Sequence, residues 1–377
     1  MTPEQMATIA LLSTKMSELG LNVEMTPPIT EGPIVTVYRF TPKGLTTVSK
    51  LEALSKDFAM ILGAEDVLVK RMPGETSVSI FVPNKERSKL YWRNGVGKPT
   101  VKALCEEQKV PLYLGVDIVG REVVEDLSSM PHILIAGSTG GGKSTLLSSV
   151  IATLIFYKSP DEVRFVLSDT KQVEFGHFIG AKQLLYEPAT NVYRTLEYLD
   201  WCIAEMEGRL KQYARYSVKN ISDYNAIKEK APHPYIVIVI DELADLLLDT
   251  RKKGSEEDSR RGPSIGKISE GKLSQLASKA RATGIHIIAA TQRTSVDVIN
   301  GTTKANFPAR LSFRMPSQTD SRTVLDTGGA ENLLSKGDML FVSPSKAGIQ
   351  RVHSTLATVE DVKACVELSE RSRVYDR

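Results

Sequence analysis

His132-Ile133-Leu134-Ile135-Ala136-Gly137-Ser138-Thr139-Gly140-Gly141-Gly142-Lys143-Ser144-Thr145 is the stretch on which the reading of the chain turns. Its first five residues have the length and apolar makeup of a buried strand. They run into Gly-x-x-x-x-Gly-Lys-Ser, and Thr145 to Tyr157 continues as an apolar helix. Strand, glycine loop and helix in that order are the context that a P-loop requires. Gly137, Ser138, Thr139, Gly140, Gly141, Gly142, Lys143, Ser144 and Thr145 are therefore the expected nucleotide cradle. Glycines let the backbone wrap phosphates with its N–H groups turned inward, at a positive helix start. Lys143 would reach the β- and γ-phosphates of ATP, and the Ser144 hydroxyl would ligate Mg2+. A glycine-rich turn that binds nothing is the competing reading.

A second strand, Ile236-Val237-Ile238-Val239-Ile240, ends in Asp241-Glu242. Charge at the end of a buried strand is expensive unless it is used or paired. Asp241 is expected to hold Mg2+ through water, and Glu242 to polarise the water that attacks the γ-phosphate. Service as a helix cap and a first-turn acid is the alternative. A third strand, Ile285–Ala290, ends in Thr291-Gln292-Arg293, polar residues placed to sense the γ-phosphate, with Gln292 the catalytic candidate. Asp169 and Lys171 end a further strand, and spacing alone leaves their role open between sensing and solvated loop.

Around these motifs, His132–Ala136, Arg164–Ser168, Tyr235–Ile240, Ile285–Ala290 and Ala309–Arg314 are short apolar runs beside helical stretches. That alternation predicts an α/β fold, a mostly parallel sheet covered on both faces. The first hundred residues differ. Met1–Glu24 reads as an amphipathic helix, Ile34–Phe40 as a strand, Leu45–Ala64 as one helix, and Val67–Arg71 and Ser77–Phe81 as strands around the Pro73-Gly74 turn. The prediction is a small β-α-β-β module over 1–110, followed by the nucleotide-binding domain over 111–377. Thr250–Lys272, rich in Gly, Ser and charge, is expected to be a flexible insertion.

With 377 residues, 41% of them apolar, the chain can build two cores and is not disordered. Forty-eight basic against 45 acidic residues leave a net charge of +3, so a nucleic-acid surface must be a local patch. Cys105, Cys202 and Cys365 are odd in number and far apart, which predicts neither disulfides nor zinc and points to a cytoplasmic setting. No apolar run approaches the roughly 18 residues of a membrane span.

The motifs, taken in order, resemble the FtsK/SpoIIIE family of DNA translocases. Gly115–Gly120, Leu127–His132, the P-loop, Trp201–Arg209, Lys279–His286, Ala290–Arg293, Asp320–Asp326, Gly328–Leu334 and Gly337–Leu340 carry the resemblance. Gly32–Thr36 and Pro83–Lys85 extend it into the first hundred residues. It implies a RecA-like ATPase subdomain and a smaller α subdomain, assembled as a hexameric homo-oligomeric ring that pumps double-stranded DNA. It also implies that Arg281 is an arginine finger acting on the neighbouring subunit, with Arg322 the second candidate. Arg251, Lys252, Lys253, Arg293 and Lys304 follow the ATPase strands, where DNA-gripping pore loops belong, although 251–261 reads equally as a solvated charge run. A protein-secretion or partner-remodelling ATPase on the same core is the rival function. Thr294 and Thr170 stand where the family has Pro, and Gln318 where it often has Lys. The family's membrane-spanning part and winged-helix module are lacking, so the expectation is an isolated motor segment or a membrane-free relative.

Overall fold

The structure is a computed structural model and describes residues 1–64, 67–71, 74–85, 89–248, 263–346 and 348–371. In chain order the elements are α1 (Pro3–Glu18), β1 (Val23–Glu31), β2 (Val35–Pro42), α2 (Val48–Glu52), α3 (Ser55–Leu62), β3 (Leu68–Arg71), β4 (Val78–Pro83), α4 (Trp92–Val96) and α5 (Pro99–Glu107). There follow β5 (Pro111–Asp117), β6 (Glu122–Asp126), β7 (His132–Ala136), α6 (Lys143–Tyr157), β8 (Val163–Ser168), α7 (Val192–Arg215), α8 (Ile221–Asn225), β9 (Tyr235–Ile240) and α9 (Leu243–Leu247). The last are α10 (Ile265–Thr283), β10 (Ile285–Thr291), α11 (Gly301–Asn306), β11 (Ala309–Phe313), α12 (Gln318–Leu325), β12 (Asp338–Val342), β13 (Ile349–His353) and α13 (Val359–Arg371). They form two compact units, Met1–Leu90 with Val116–Arg121, and Tyr91–Gly115 with Glu122 to the C-terminus.

The boundary expected at 110 thus falls near Leu90. The reason is packing. Trp92 is buried and donates its indole N–H to Thr153 at 2.9 Å, and Val101 and Cys105 of α5 belong to the larger unit's core.

The smaller unit is a four-stranded antiparallel sheet in the order β1-β2-β4-β3. Tyr38 and Phe40 of β2 and Val78 and Ile80 of β4 share one core with Leu12 and Met16 of α1 and Phe58 of α3. Two corrections to the sequence reading arise here. An unexpected strand, β1, carries Pro27 and Pro28; it is an edge strand whose register slips between Thr26 and Thr30, where proline is tolerated. The single helix expected over Leu45–Ala64 is two, α2 and α3, because the Ser55 hydroxyl takes the Glu52 carbonyl at 3.0 Å and the chain restarts.

In the larger unit nine strands run in the order β6-β5-β13-β12-β11-β7-β10-β9-β8. Five neighbours, β11, β7, β10, β9 and β8, are parallel; β12 and β13 continue the sheet antiparallel, with β5 and β6 beyond them. Alternate residues enter opposite cores, as strand geometry demands. Ile133, Ile135, Val237, Val239 and Ile288 face α6, whose Leu147, Ile151 and Leu154 are wholly buried. Leu134, Ile236, Ile238 and Ile287 face α7 and α10, through Leu199, Cys202, Leu273 and Leu276. Covering on both faces explains why these strands read as unbroken apolar runs.

The insertion is the last correction. Residues 249–262 lie outside the described residues, but 265–272 are the first turns of α10. Ser264 caps that helix by accepting from the Lys267 N–H at 3.4 Å, so this part of Thr250–Lys272 is helix and not flexible loop.

Candidate nucleotide site

β7, β10 and β9 lie side by side and in register, so Gly137, Thr291 and Asp241 meet at one end of the sheet. The strand that carries the polar Thr291-Gln292 end sits between the one feeding the glycine loop and the one carrying the carboxylates. This end is the carboxyl end of every parallel strand, where such sheets place their ligands.

The loop from Gly137 to Gly142 turns back on itself, with Gly141 N–H donating to Ser138 O at 3.0 Å. Gly142 has a φ of +118°, open to glycine alone, and a Cβ at Gly137 would stand 2.7 Å from the Phe313 Cβ. Lys143, Ser144 and Thr145 then open α6. Lys143 is buried, and its ammonium donates to the Asp241 carbonyl at 2.6 Å and to Asp241 Oδ1 at 3.0 Å. Asp241 is buried too, so each charge has the partner that its burial requires.

Glu242 is held from three sides. The Thr291 hydroxyl donates to it at 2.7 Å, the Gln292 N–H at 3.2 Å and the Lys171 ammonium at 3.2 Å. Burial works to lower the Lys171 pKa, but Glu242, with Asp241 and Asp245 behind it, outweighs burial and holds it above its ordinary value. Gln292 Oε1 accepts from the Thr139 hydroxyl at 3.0 Å, which ties the γ-phosphate-sensing candidate to the glycine loop.

Asp169 and Lys171, left open by spacing, separate in role. Asp169 builds a turn: its carboxylate accepts the N–H groups of Val173, Glu174 and Phe175 at 3.3, 2.8 and 2.9 Å. Lys171 belongs to the site through Glu242. Two residues of the site were missed in the sequence. Glu174 accepts the Ser144 hydroxyl proton at 2.6 Å, and Asp245 accepts that of Thr170 at 2.6 Å. Their only signal was distance from Asp169 and Glu242 along the chain, which does not reveal a tertiary partner.

The remaining candidates lie apart. Arg281 is exposed near the end of α10, with its guanidinium 3.5 Å from the Ser129 carbonyl. It lines a cleft of about 840 Å³ with Lys109, Ser128, Asp223, Tyr235 and Lys279, at the amino ends of the strands. Arg322 is exposed on α12. Arg293 is exposed just past β10. Lys304 is engaged: with Arg310 it holds Asp326, at 2.7 and 2.6 Å, and keeps that carboxyl below its usual range despite burial. Arg251, Lys252 and Lys253 lie outside the described residues.

The donor chemistry fits Mg2+. Ser144, Asp241 and Glu174 offer hard oxygens, and a nucleotide-bound Mg2+ takes only one or two of its ligands from protein. Among the described residues no cluster of three or more His, Cys, Asp or Glu could hold a metal alone. Nor is any helix among them long and apolar enough to cross a membrane.

A lysine at the mouth of a glycine loop, facing the carboxylates of a nearby strand across a polar one, defines a P-loop ATPase. The fold agrees: the conjugation coupling protein TcpA of pCW3 superposes with a TM-score of 0.66 at 23% identity, over 97% of this chain and 99% of that one. The cytoplasmic domain of the type VII secretion ATPase EccC of Thermomonospora curvata gives 0.57 at 23% identity, over 70% and 31%. Sequence narrows the class. Residues 102–296 match the FtsK/SpoIIIE family and residues 2–84 the FtsK alpha domain. DNA translocase FtsK of Borreliella burgdorferi is 39% identical over 363 residues, which are 95% of this chain and 44% of that protein. The chain belongs to the FtsK/SpoIIIE family, and it spans less than half the length of the curated relatives it matches.

Proposed function

We propose that this chain is an ATP-driven motor that moves double-stranded DNA through a ring of identical subunits, six by family resemblance. The observation that carries the ATPase reading is the convergence of Lys143, Asp241, Glu242 and Gln292 on the glycine loop. Lys143 steadies the phosphates, and Glu242, aimed by Thr291, Gln292 and Lys171, polarises the attacking water. Ser144 and Asp241 would hold Mg2+, which when bound would supply charge neutralisation at the phosphate oxygens. The larger unit is the motor, and Met1–Leu90 is the α subdomain.

The position of Arg281 supports the ring. Strand β10 has seven residues, so roughly 20 Å separates its two ends. Arg281 lies beyond one end and Gln292 at the other, so Arg281 serves a nucleotide on the neighbouring subunit. A guanidinium supplied in trans there stabilises charge on the transferred phosphoryl group. DNA as cargo rests on the DNA translocase relatives. Arg293, exposed on the loop after β10, is the described residue best placed to meet phosphates, with Arg251, Lys252 and Lys253 as further candidates. Lys304, committed to Asp326, is the weakest.

Turnover with and without linear duplex is the test. Addition of duplex is expected to raise ATP hydrolysis, with a stimulation that fades as salt releases phosphate contacts, and Lys143→Ala should show none. Turnover in the parent that ignores duplex at every salt concentration would move the reading to a secretion or partner-remodelling ATPase, the alternative that the fold shared with EccC raises.

A further inference from the structure

We infer that Glu174 is a positioning residue for the metal-binding hydroxyl of the P-loop, a role that the motif itself does not contain. This rests on the ATPase reading above and names one more working part of that site.

Ser144 has one hydroxyl proton and two lone pairs. The proton goes to Glu174 Oε1 at 2.6 Å, a short bond of the charge-assisted kind. A hydroxyl whose proton is fixed on one side presents its lone pairs on the other. It can then ligate a cation without first finding its orientation. An outer carboxylate that orients a metal ligand also adds negative charge near the ion, and loss of such a partner commonly weakens metal affinity by about 10–100-fold.

The position of Glu174 does not depend on Ser144. Its own N–H donates to Asp169 Oδ2 at 2.8 Å, Val173 and Phe175 are tied to the same carboxylate, and Phe175 is fully buried. Asp169 is itself anchored, with its N–H on the Ala189 carbonyl at 2.9 Å. The loop from Asp169 to Phe175 is therefore a rigid bracket. It delivers Thr170 to Asp245, Lys171 to Glu242 and Glu174 to Ser144. One bracket thus reaches both the base that acts on water and the hydroxyl that meets the metal.

The test is a Mg2+ titration of ATP binding, read by calorimetry, in the parent, Glu174→Gln, Glu174→Ala, Ser144→Ala and the double variant Ser144→Ala/Glu174→Ala. Affinity for ATP in EDTA is measured beside it. Glu174→Ala should raise the half-saturating Mg2+ concentration about 10–100-fold and leave the EDTA affinity where it was. Glu174→Gln, which keeps an accepting oxygen without the charge, should fall between. In the Ser144→Ala background the second substitution should add nothing, because the pair acts through one bond. A Mg2+ response in Glu174→Ala equal to the parent's overturns the inference. So does an equal loss of affinity in EDTA, which would mark Glu174 as loop support, or a full Glu174 effect without the Ser144 hydroxyl. A parent whose ATP binding ignores Mg2+ sinks the ATPase reading as well, so the two failures are distinguishable.

Discussion

The two ends of the parallel sheet bury different sets of polar groups. At the carboxyl ends acids and bases meet one another: Lys143 holds Asp241, and Lys171 with Thr291 holds Glu242. At the amino ends lie two buried imidazoles, His132 and His286, whose rings are 6.4 Å apart among aromatic neighbours, and a buried guanidinium, Arg209, which pairs with Glu205 at 2.8 Å and donates to the Pro234 and Thr283 carbonyls at 2.8 Å. Buried ion pairs are seldom the most stabilising filling for a core, and apolar groups of similar volume often do as well. Two lysine–carboxylate pairs side by side at the glycine loop make the carboxyl ends the candidate site. The amino ends border the cleft with its three exposed cations, Lys109, Lys279 and Arg281.

If the two ends meet only between subunits, the largest effect should come from the exposed one. Arg281→Ala is expected to bind ATP at its own site, yet to lose about 10³–10⁵-fold in DNA-stimulated turnover as a pure ring. Mixing it with Lys143→Ala subunits should restore turnover at junctions where an intact guanidinium faces an intact glycine loop. Turnover rates across mixing ratios check this. Full activity of Arg281→Ala alone would pass the role to Arg322.

The carboxyl end is sharpened by Glu242→Gln. The amide keeps the shape and can still accept from Thr291, but it is a far weaker base. A loss of about 10²–10⁴-fold in hydrolysis is expected, with ATP still retained. Filter-bound nucleotide measured beside single-turnover hydrolysis separates the two. Hydrolysis at the parent rate would reduce Glu242 to a cap for the N–H of Ala244, which it meets at 3.4 Å.

The contrast between the ends was only half legible in the sequence. Lys143 and the Asp241-Glu242 pair announce themselves because a strand, a loop and a helix start are contiguous in the chain, and their chemistry is local. Gln292 followed from strand polarity once β10 was read as parallel. Glu174 and Lys171 could not be assigned, since both owe their roles to a turn folded around Asp169 and to partners thirty or more residues away. Glu174 meets Ser144 across 30 positions, and Lys171 meets Glu242 across 71. In the smaller unit, β1 was hidden by Pro27 and Pro28, whose cost in a strand disappears at a sheet edge. The start of α10 was hidden by Gly266 and the charges before it, which mask the apolar spacing of Ile268, Leu273 and Leu276.

The smallest effect expected belongs to the amino ends and concerns pH. Burial, with His286 nearby, pushes the His132 imidazole down to about 3; burial pushes His286 down to about 4, where Pro131 O and Asp126 resist and Arg281 assists. Both rings are thus neutral in the fold, with His132 Nδ1 accepting from the Ile287 N–H at 3.1 Å and His286 Nδ1 beside the Pro131 carbonyl at 3.0 Å. In the unfolded chain each regains a pKa near roughly 6.5. Below that value the unfolded state binds more protons, so stability is present above about pH 6.5 and is lost as pH falls toward the folded values. Each imidazole should contribute a slope of about 1.4 kcal/mol per pH unit, or about 2 kcal/mol apiece by pH 5. Urea unfolding of the parent and of His286→Phe between pH 6.5 and 5 checks it. The phenyl ring keeps the stack on Tyr235, which His286 makes at 5.9 Å, but takes up no proton in either state. Its pH slope should be shallower than the parent's by the share of one imidazole, about 1.4 kcal/mol per pH unit. Equal slopes would mean that His286 is protonated in the fold.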